Sequence, residues 1–176
     1  SQILLRRKQK QQSLKESLAL NLFVQLALAV PHIHRHPRLH RDINPSNVFM
    51  SESASLVRLG DFGLARQLDS SDAAATSHVG TPSYLSPEIC RDQPYGRPSD
   101  MWSLGCVLHE LLVLSPPFKG GTLVKLIASV VNDELPTLPT EYSEESRLLC
   151  GALLCKEPAA RPSASALPAP PLLLRH

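Results

Sequence analysis

Between residues 14 and 35 the apolar positions recur every three or four residues. Leu18, Leu22, Leu26, Ala29 and Ile33 form one stripe, with Ala19, Phe23, Ala27 and Val30 beside it. That spacing predicts an α-helix, and the width of the stripe predicts that it is mostly buried. Pro31 falls inside this run. A proline within a helix removes a backbone bond at a cost of about 3 kcal/mol unless the helix bends or is nearly over, so a kink or an early end is predicted there. Residues 99–114 are apolar nearly all round, which predicts a central helix capped by Ser99 or Asp100. Two amphipathic helices are predicted over 121–131 and 144–155, joined by a connector holding Pro136 and Pro139. Val48-Phe49-Met50 and residues 56–59 are β-prone runs separated by Ser51, Ser53 and Ser55, which predicts a small hairpin. Residues 2–12, basic and Gln-rich, read as a surface helix. Residues 64–82 are polar and aperiodic and read as a mobile loop. The stretch after Ala166 is rich in Pro and Leu and reads as irregular.

Composition narrows the class. At 176 residues, 43% apolar and 19% charged, the chain has the make-up of one soluble globular domain. A formal charge of +2 is too small to argue for nucleic acid or a membrane surface as partner. The basic run at Arg6, Arg7, Lys8 and Lys10 has no aromatic residues interleaved for base stacking, so a solvated helix face is expected. The run from Leu18 to Val30 is interrupted by Asn21 and Gln25 and no small-x-small cleavage site follows. The expectation is therefore no signal peptide, no transmembrane segment, and a cytoplasmic or nuclear location. Cys90, Cys106, Cys150 and Cys155 lack Cys-x-x-Cys spacing and read as buried reduced thiols. His32, His34 and His36 lack the glutamate of a His-Glu-x-x-His pattern and read as surface histidines.

Candidate chemistry concentrates in His40-Arg41-Asp42-Ile43-Asn44-Pro45-Ser46-Asn47 and in Asp61-Phe62-Gly63. One carboxylate to take a hydroxyl proton, with an amide oxygen and a second carboxylate to hold Mg²⁺, is the equipment for phosphoryl transfer. Either motif alone has a plain reading as surface carboxylates in turns.

Further motifs follow in order: Asn47-Val48-Phe49-Met50, Leu59-Gly60-Asp61-Phe62-Gly63-Leu64-Ala65-Arg66, and Val79-Gly80-Thr81-Pro82-Ser83-Tyr84-Leu85-Ser86-Pro87-Glu88. From about residue 2 to about 167 the chain resembles a eukaryotic protein kinase, most of all the serine/threonine kinases of the NIMA-related group. The fold this implies is α+β and mainly helical: a kinase-like large lobe with a small β-hairpin carrying the catalytic and magnesium loops. On this reading residues 1–167 are the C-terminal lobe of a kinase domain and 168–176 a tail. The resemblance implies that Asp42 accepts the substrate proton, Asn47 and Asp61 hold Mg²⁺, and Phe49 and Gly60 border the adenine of ATP. It implies that Arg41 faces an activation-loop phosphate carried by Ser77 or its neighbour Thr76. It also implies that Thr81 lines the pocket for a protein Ser/Thr acceptor. Glu88, in Ser86-Pro87-Glu88, is expected to pair with Arg161, and Asp100 to tie down the catalytic-loop backbone.

Two features depart from the family pattern. The first glycine in the chain is Gly60, and the lysines before Asp42 are Lys8, Lys10 and Lys15, none in a Val-Ala-x-Lys strand. The small lobe, with its Gly-rich loop and Lys, is therefore expected to be absent, the chain to be inactive alone, and the lobe-facing surface around Phe49 and Phe62 to be open for association. Second, Asn44 stands where Ser/Thr kinases usually carry a Lys facing the transferring phosphoryl group. The loss of that charge is expected to weaken catalysis by about 2–4 kcal/mol. The alternative function is a non-catalytic pseudokinase or protein-binding module.

Overall fold

The computed structural model describes residues 14–36, 38–51, 56–60, 66–67 and 81–167. The expected helix over 2–12 and the tail 168–176 lie outside these residues, as do Asp61, Phe62, Thr76 and Ser77. The elements are α1 (Glu16–His34), β1 (Arg38–Leu39), β2 (Val48–Met50), β3 (Val57–Leu59), β4 (Arg66–Gln67), α2 (Pro87–Cys90), α3 (Arg97–Val113), α4 (Leu123–Asn132) and α5 (Glu144–Leu153). Short 3₁₀ turns cover Pro45–Asn47, Pro82–Tyr84, Pro158–Ala160 and Ala164–Ala166.

The core is built on α3. Every residue from Ser99 to Leu112 is buried, as its all-round apolar sequence requires. α1 packs on one side through Phe23, Leu26 and Val30, and α5 on another through Cys150 and Leu153. The α3–α5 approach is close because position 105 is glycine: a β-carbon there would stand 2.8 Å from Leu153 Cβ. Trp102 of α3 is fully buried and stacks on Phe118 with ring centroids 5.7 Å apart. α3 starts two residues before the predicted boundary, at Arg97. The Ser99 hydroxyl accepts the Gly96 N–H at 3.2 Å, while the Asp100 carboxylate is used elsewhere.

Pro31 sits in the last turn of α1, which ends at His34, so the early end is the outcome. The polar interruptions of α1 have structural uses. Gln25 donates to Asn21 at 2.9 Å and accepts the Val57 N–H at 2.8 Å, joining α1 to the hairpin. Glu16 accepts the Ser143 N–H at 3.0 Å and hydroxyl protons from Ser143 and Ser146, which joins the starts of α1 and α5. By length and composition alone α1 is apolar enough to cross a membrane. More than half of its apolar window is buried inside the fold, as a core helix requires.

The predicted hairpin is present: β2 and β3 pair antiparallel with Val48 opposite Leu59, Phe49 opposite Arg58 and Met50 opposite Val57. A second ribbon pairs β1 with β4, Leu39 opposite Arg66. Its β4 strand falls inside the stretch 64–82 read as loop from sequence, because a two-residue strand has no periodicity to detect. The four cysteines are free; Cys106 and Cys150 are buried, Cys90 and Cys155 half-buried.

Candidate active site

The His40–Asn47 loop connects β1 to β2 and is anchored from beneath by α3. Asp100, fully buried in the first turn of α3, accepts four hydrogen bonds. They come from His34 Nε2 at 2.8 Å, the His40 N–H at 3.1 Å, the Arg41 N–H at 3.0 Å and the Tyr95 hydroxyl at 2.9 Å. Burial first, and then the Asp100 carboxylate, raise the Tyr95 pKa well above that of an ordinary phenol, so it remains a donor. The anchoring has a backbone consequence. Arg41 is held at φ 70°, a left-handed conformation that a non-glycine residue adopts only when its surroundings enforce it. His34 is thus a buried structural residue and not the surface histidine expected; His32 and His36 are exposed.

Next along the loop, the Asp42 carboxylate is held at both oxygens. Oδ1 accepts from Asn44 Nδ2 at 2.8 Å, the Thr81 N–H at 3.1 Å and the Thr81 hydroxyl at 3.3 Å. Oδ2 accepts from Asn47 Nδ2 at 2.7 Å, and the same nitrogen reaches the Asp42 carbonyl at 2.8 Å. Asn44 stands where the resemblance expects a lysine. The structure buries it at 1% exposure and spends both ends of its amide. Nδ2 holds Asp42, and Oδ1 accepts the Ser46 N–H at 2.8 Å, capping the turn Pro45–Asn47. The physical reason is local: an asparagine before a proline-started turn has a free N–H two residues on to satisfy.

Thr81 reaches Asp42 because the turn after it is fastened to α3. The Tyr84 hydroxyl donates to Glu110, and the Ser103 hydroxyl donates to the Tyr84 carbonyl at 2.9 Å. Ser99 donates to Glu88 at 2.7 Å. Ser99, Asp100, Ser103 and Glu110 therefore all serve the site side of α3. They fall within about 100° of one another on a helix of about 3.6 residues per turn. That shared polar face in an otherwise apolar helix is the signal from which Ser103 and Glu110 could have been found.

Glu88 and Arg161 stand as a two-pronged pair, both N–O distances 2.8 Å, with Arg161 also donating to the carbonyls of Pro98, Cys155 and Lys156. Burial alone would raise the Glu88 carboxyl, but Arg161 and Ser99 outweigh it and hold its pKa below the ordinary value. Arg41 lies with its guanidinium 5.9 Å from the centre of the Tyr95 ring, and its Nε is buried without a partner among the described residues. Phe49 is 58% exposed on β2, and its ring lies over Gly60, where a β-carbon would stand 2.8 Å from Phe49 Cε2.

For a magnesium ion, the part of the set that the described residues show fits. Asn47 commits its side-chain nitrogen Nδ2 to Asp42, which leaves its side-chain oxygen Oδ1 as the atom to offer a cation. The Gly60 N–H donates to the main-chain carbonyl of Asn47 at 2.9 Å, so the residue before Asp61 is tied to the same turn. Among the described residues no group of three or more His, Cys, Asp or Glu converges as a further metal site.

A hairpin and two loops set on a buried central helix, with an aspartate held between two asparagines and a threonine, mark a protein-kinase-type domain. The protein kinase domain matches residues 1–173, and the chain belongs to the protein kinase family. It is 41% identical over 159 residues to Serine/threonine-protein kinase Nek1 of Mus musculus, a match covering 90% of this chain and 13% of that protein. It is 41% identical over 158 residues to Serine/threonine-protein kinase Nek5 of Homo sapiens, covering 90% of this chain and 22% of that protein. With Serine/threonine-protein kinase Nek3 of Mus musculus it shares 43% identity over 161 residues, covering 92% of this chain and 31% of that protein. The group resemblance read from the sequence is thereby borne out. The chain spans less than a third of the length of these relatives.

Proposed function

We propose that residues 1–167 form the large lobe of a serine/threonine protein kinase in which Asp42 accepts the proton of a protein Ser or Thr hydroxyl. The observation that carries this reading is the fixed carboxylate: Asn44, Asn47 and Thr81 hold both oxygens of Asp42 in one orientation. A base oriented before the substrate arrives removes that cost from the reaction. Mg²⁺, when bound with ATP, neutralises charge on the phosphates. Asn47, through its side-chain oxygen, and Asp61 would hold that ion. Phe49 and Gly60 border the adenine, Thr81 lines the acceptor side, and Arg41 receives the phosphate on Ser77 or Thr76. Glu88, Arg161 and Asp100 hold the scaffold. Asn44 acts through Asp42 as a positioning residue and supplies no charge.

Activity in this reading requires a small lobe, and the exposed Phe49 belongs to the surface that lobe covers. The test is to join the chain to the small lobe of a NIMA-related relative. The joined protein is expected to transfer phosphate from Mg²⁺-ATP to a Ser/Thr peptide and not to a Tyr peptide, while the chain alone transfers none. A folded but inactive joined protein would favour the second reading, a non-catalytic binding module, for which the absence of a cation at position 44 speaks.

A further inference from the structure

A cavity of about 320 Å³ opens where the end of α1, the start of α3 and the segment after α5 meet. It shares no lining residue with the Asp42 loop. Its walls are apolar, from Pro31, Pro98, Met101 and Ala164, and Arg35 and Arg97 stand among its lining with exposed side chains. Neither arginine has an ion pair among the described residues, whereas Arg161, also in the lining, is spent on Glu88 and backbone carbonyls. The two helix ends that meet here carry opposite partial charges of about half a unit, which cancel. Arg35 and Arg97, with no ion pair among the described residues, therefore offer positive charge at the cavity's exposed side. Apolar walls with a few polar groups, at the lower end of the size range of small-molecule sites, suit a compact ligand. Guanidinium groups suit carboxylate and phosphate.

We propose that this cavity binds a compact organic anion: a carboxylate or phosphate monoester on a flat apolar body. An occupant touches His34, which is part of the lining. His34 Nε2 is 2.8 Å from Asp100, and Asp100 holds the backbone N–H groups of His40 and Arg41. Filling the cavity thus reaches the loop that carries Asp42 through two successive hydrogen bonds. The binding site stands whether or not the loop is catalytic.

Amide NMR of the full chain, titrated with phenyl phosphate, tests this, with benzyl alcohol and inorganic phosphate as the neutral and the bare-anion comparisons. Phenyl phosphate is expected to saturate with a dissociation constant below about 1 mM. The shifts should centre on residues 31–35, 97–101 and 158–165, with the His40 and Arg41 amides following the same curve. Both comparison compounds should bind at least about tenfold more weakly, a difference of about 1.4 kcal/mol. The exposed double change Arg35→Glu, Arg97→Glu should weaken phenyl phosphate as much, and Ala159→Trp, which narrows the mouth, should do the same without altering the charge. Absence of saturation, equal binding of benzyl alcohol, or indifference to the charge reversal overturns the site. Saturation with unmoved His40 and Arg41 amides overturns its link to the loop.

Discussion

Asn44 shows how much of one side chain's setting lies outside the sequence. Its lack of charge is plain in the sequence. Its burial is not, because the demand it meets comes from the Ser46 N–H and from Asp42, which the fold brings to opposite ends of one amide. Asn44→Ala removes a cap and leaves a carboxylate oxygen with one donor fewer. The expected loss is about 1 kcal/mol of stability, read from urea denaturation; no change would mean that the cap is dispensable. His34 misled for a related reason. Of three alternating histidines, only the one facing Asp100 is buried, and that partner lies 66 residues away in sequence. That Asp42 and Asn47 stand side by side was legible because both lie in one short loop. Thr81 was placed near the acceptor, but its two bonds to Asp42 depend on the Tyr84–Glu110 and Tyr84–Ser103 contacts across the fold.

At the scale of elements, α3 decides the arrangement, and its length and all-round burial could be read from residues 99–114. What sequence could not show was how near α5 comes. Gly105→Ala places a methyl group where Leu153 Cβ and Leu154 already are, 2.8 and 3.0 Å away. Overpacking of this kind is expected to cost about 1–3 kcal/mol, measured as a lowered denaturation midpoint. The Glu88–Arg161 pair joins α2 to the segment after α5. Arg161→Leu leaves Glu88 buried without its cation, and the expected loss is about 3–5 kcal/mol. The pair also sets a pH dependence. Glu88 titrates below its ordinary value of 4.5 in the folded chain, so as the pH falls the unfolded chain takes up the proton first. The stability from this group is complete above 4.5 and is lost as the pH drops through the lower folded value. Glu88→Gln should flatten the fall in denaturation midpoint below pH 4.5, and an unchanged slope would exclude Glu88 as its source. The β1–β4 ribbon escaped sequence reading because two residues per strand leave nothing for alternation to show.

For the whole molecule, the hairpin presents Phe49 at 58% and Leu56 at 48% exposure on the side that carries Asn47 and Gly60. An apolar surface of this kind promotes association when nothing covers it. The chain alone is expected to self-associate with rising concentration, and Phe49→Asp to reduce this in sedimentation velocity; equal association of the two would move the contact elsewhere. The same exposure is expected to disappear once a small lobe is joined. The most direct test of the central claim is the rate of phosphate transfer by that joined protein with Asp42→Asn. A fall in kcat of about 10²–10⁴-fold at an unchanged KM for ATP is expected, because the side chain keeps its size and loses its proton acceptor. A rate equal to that of the unsubstituted protein would contradict the assignment of Asp42 as the proton acceptor.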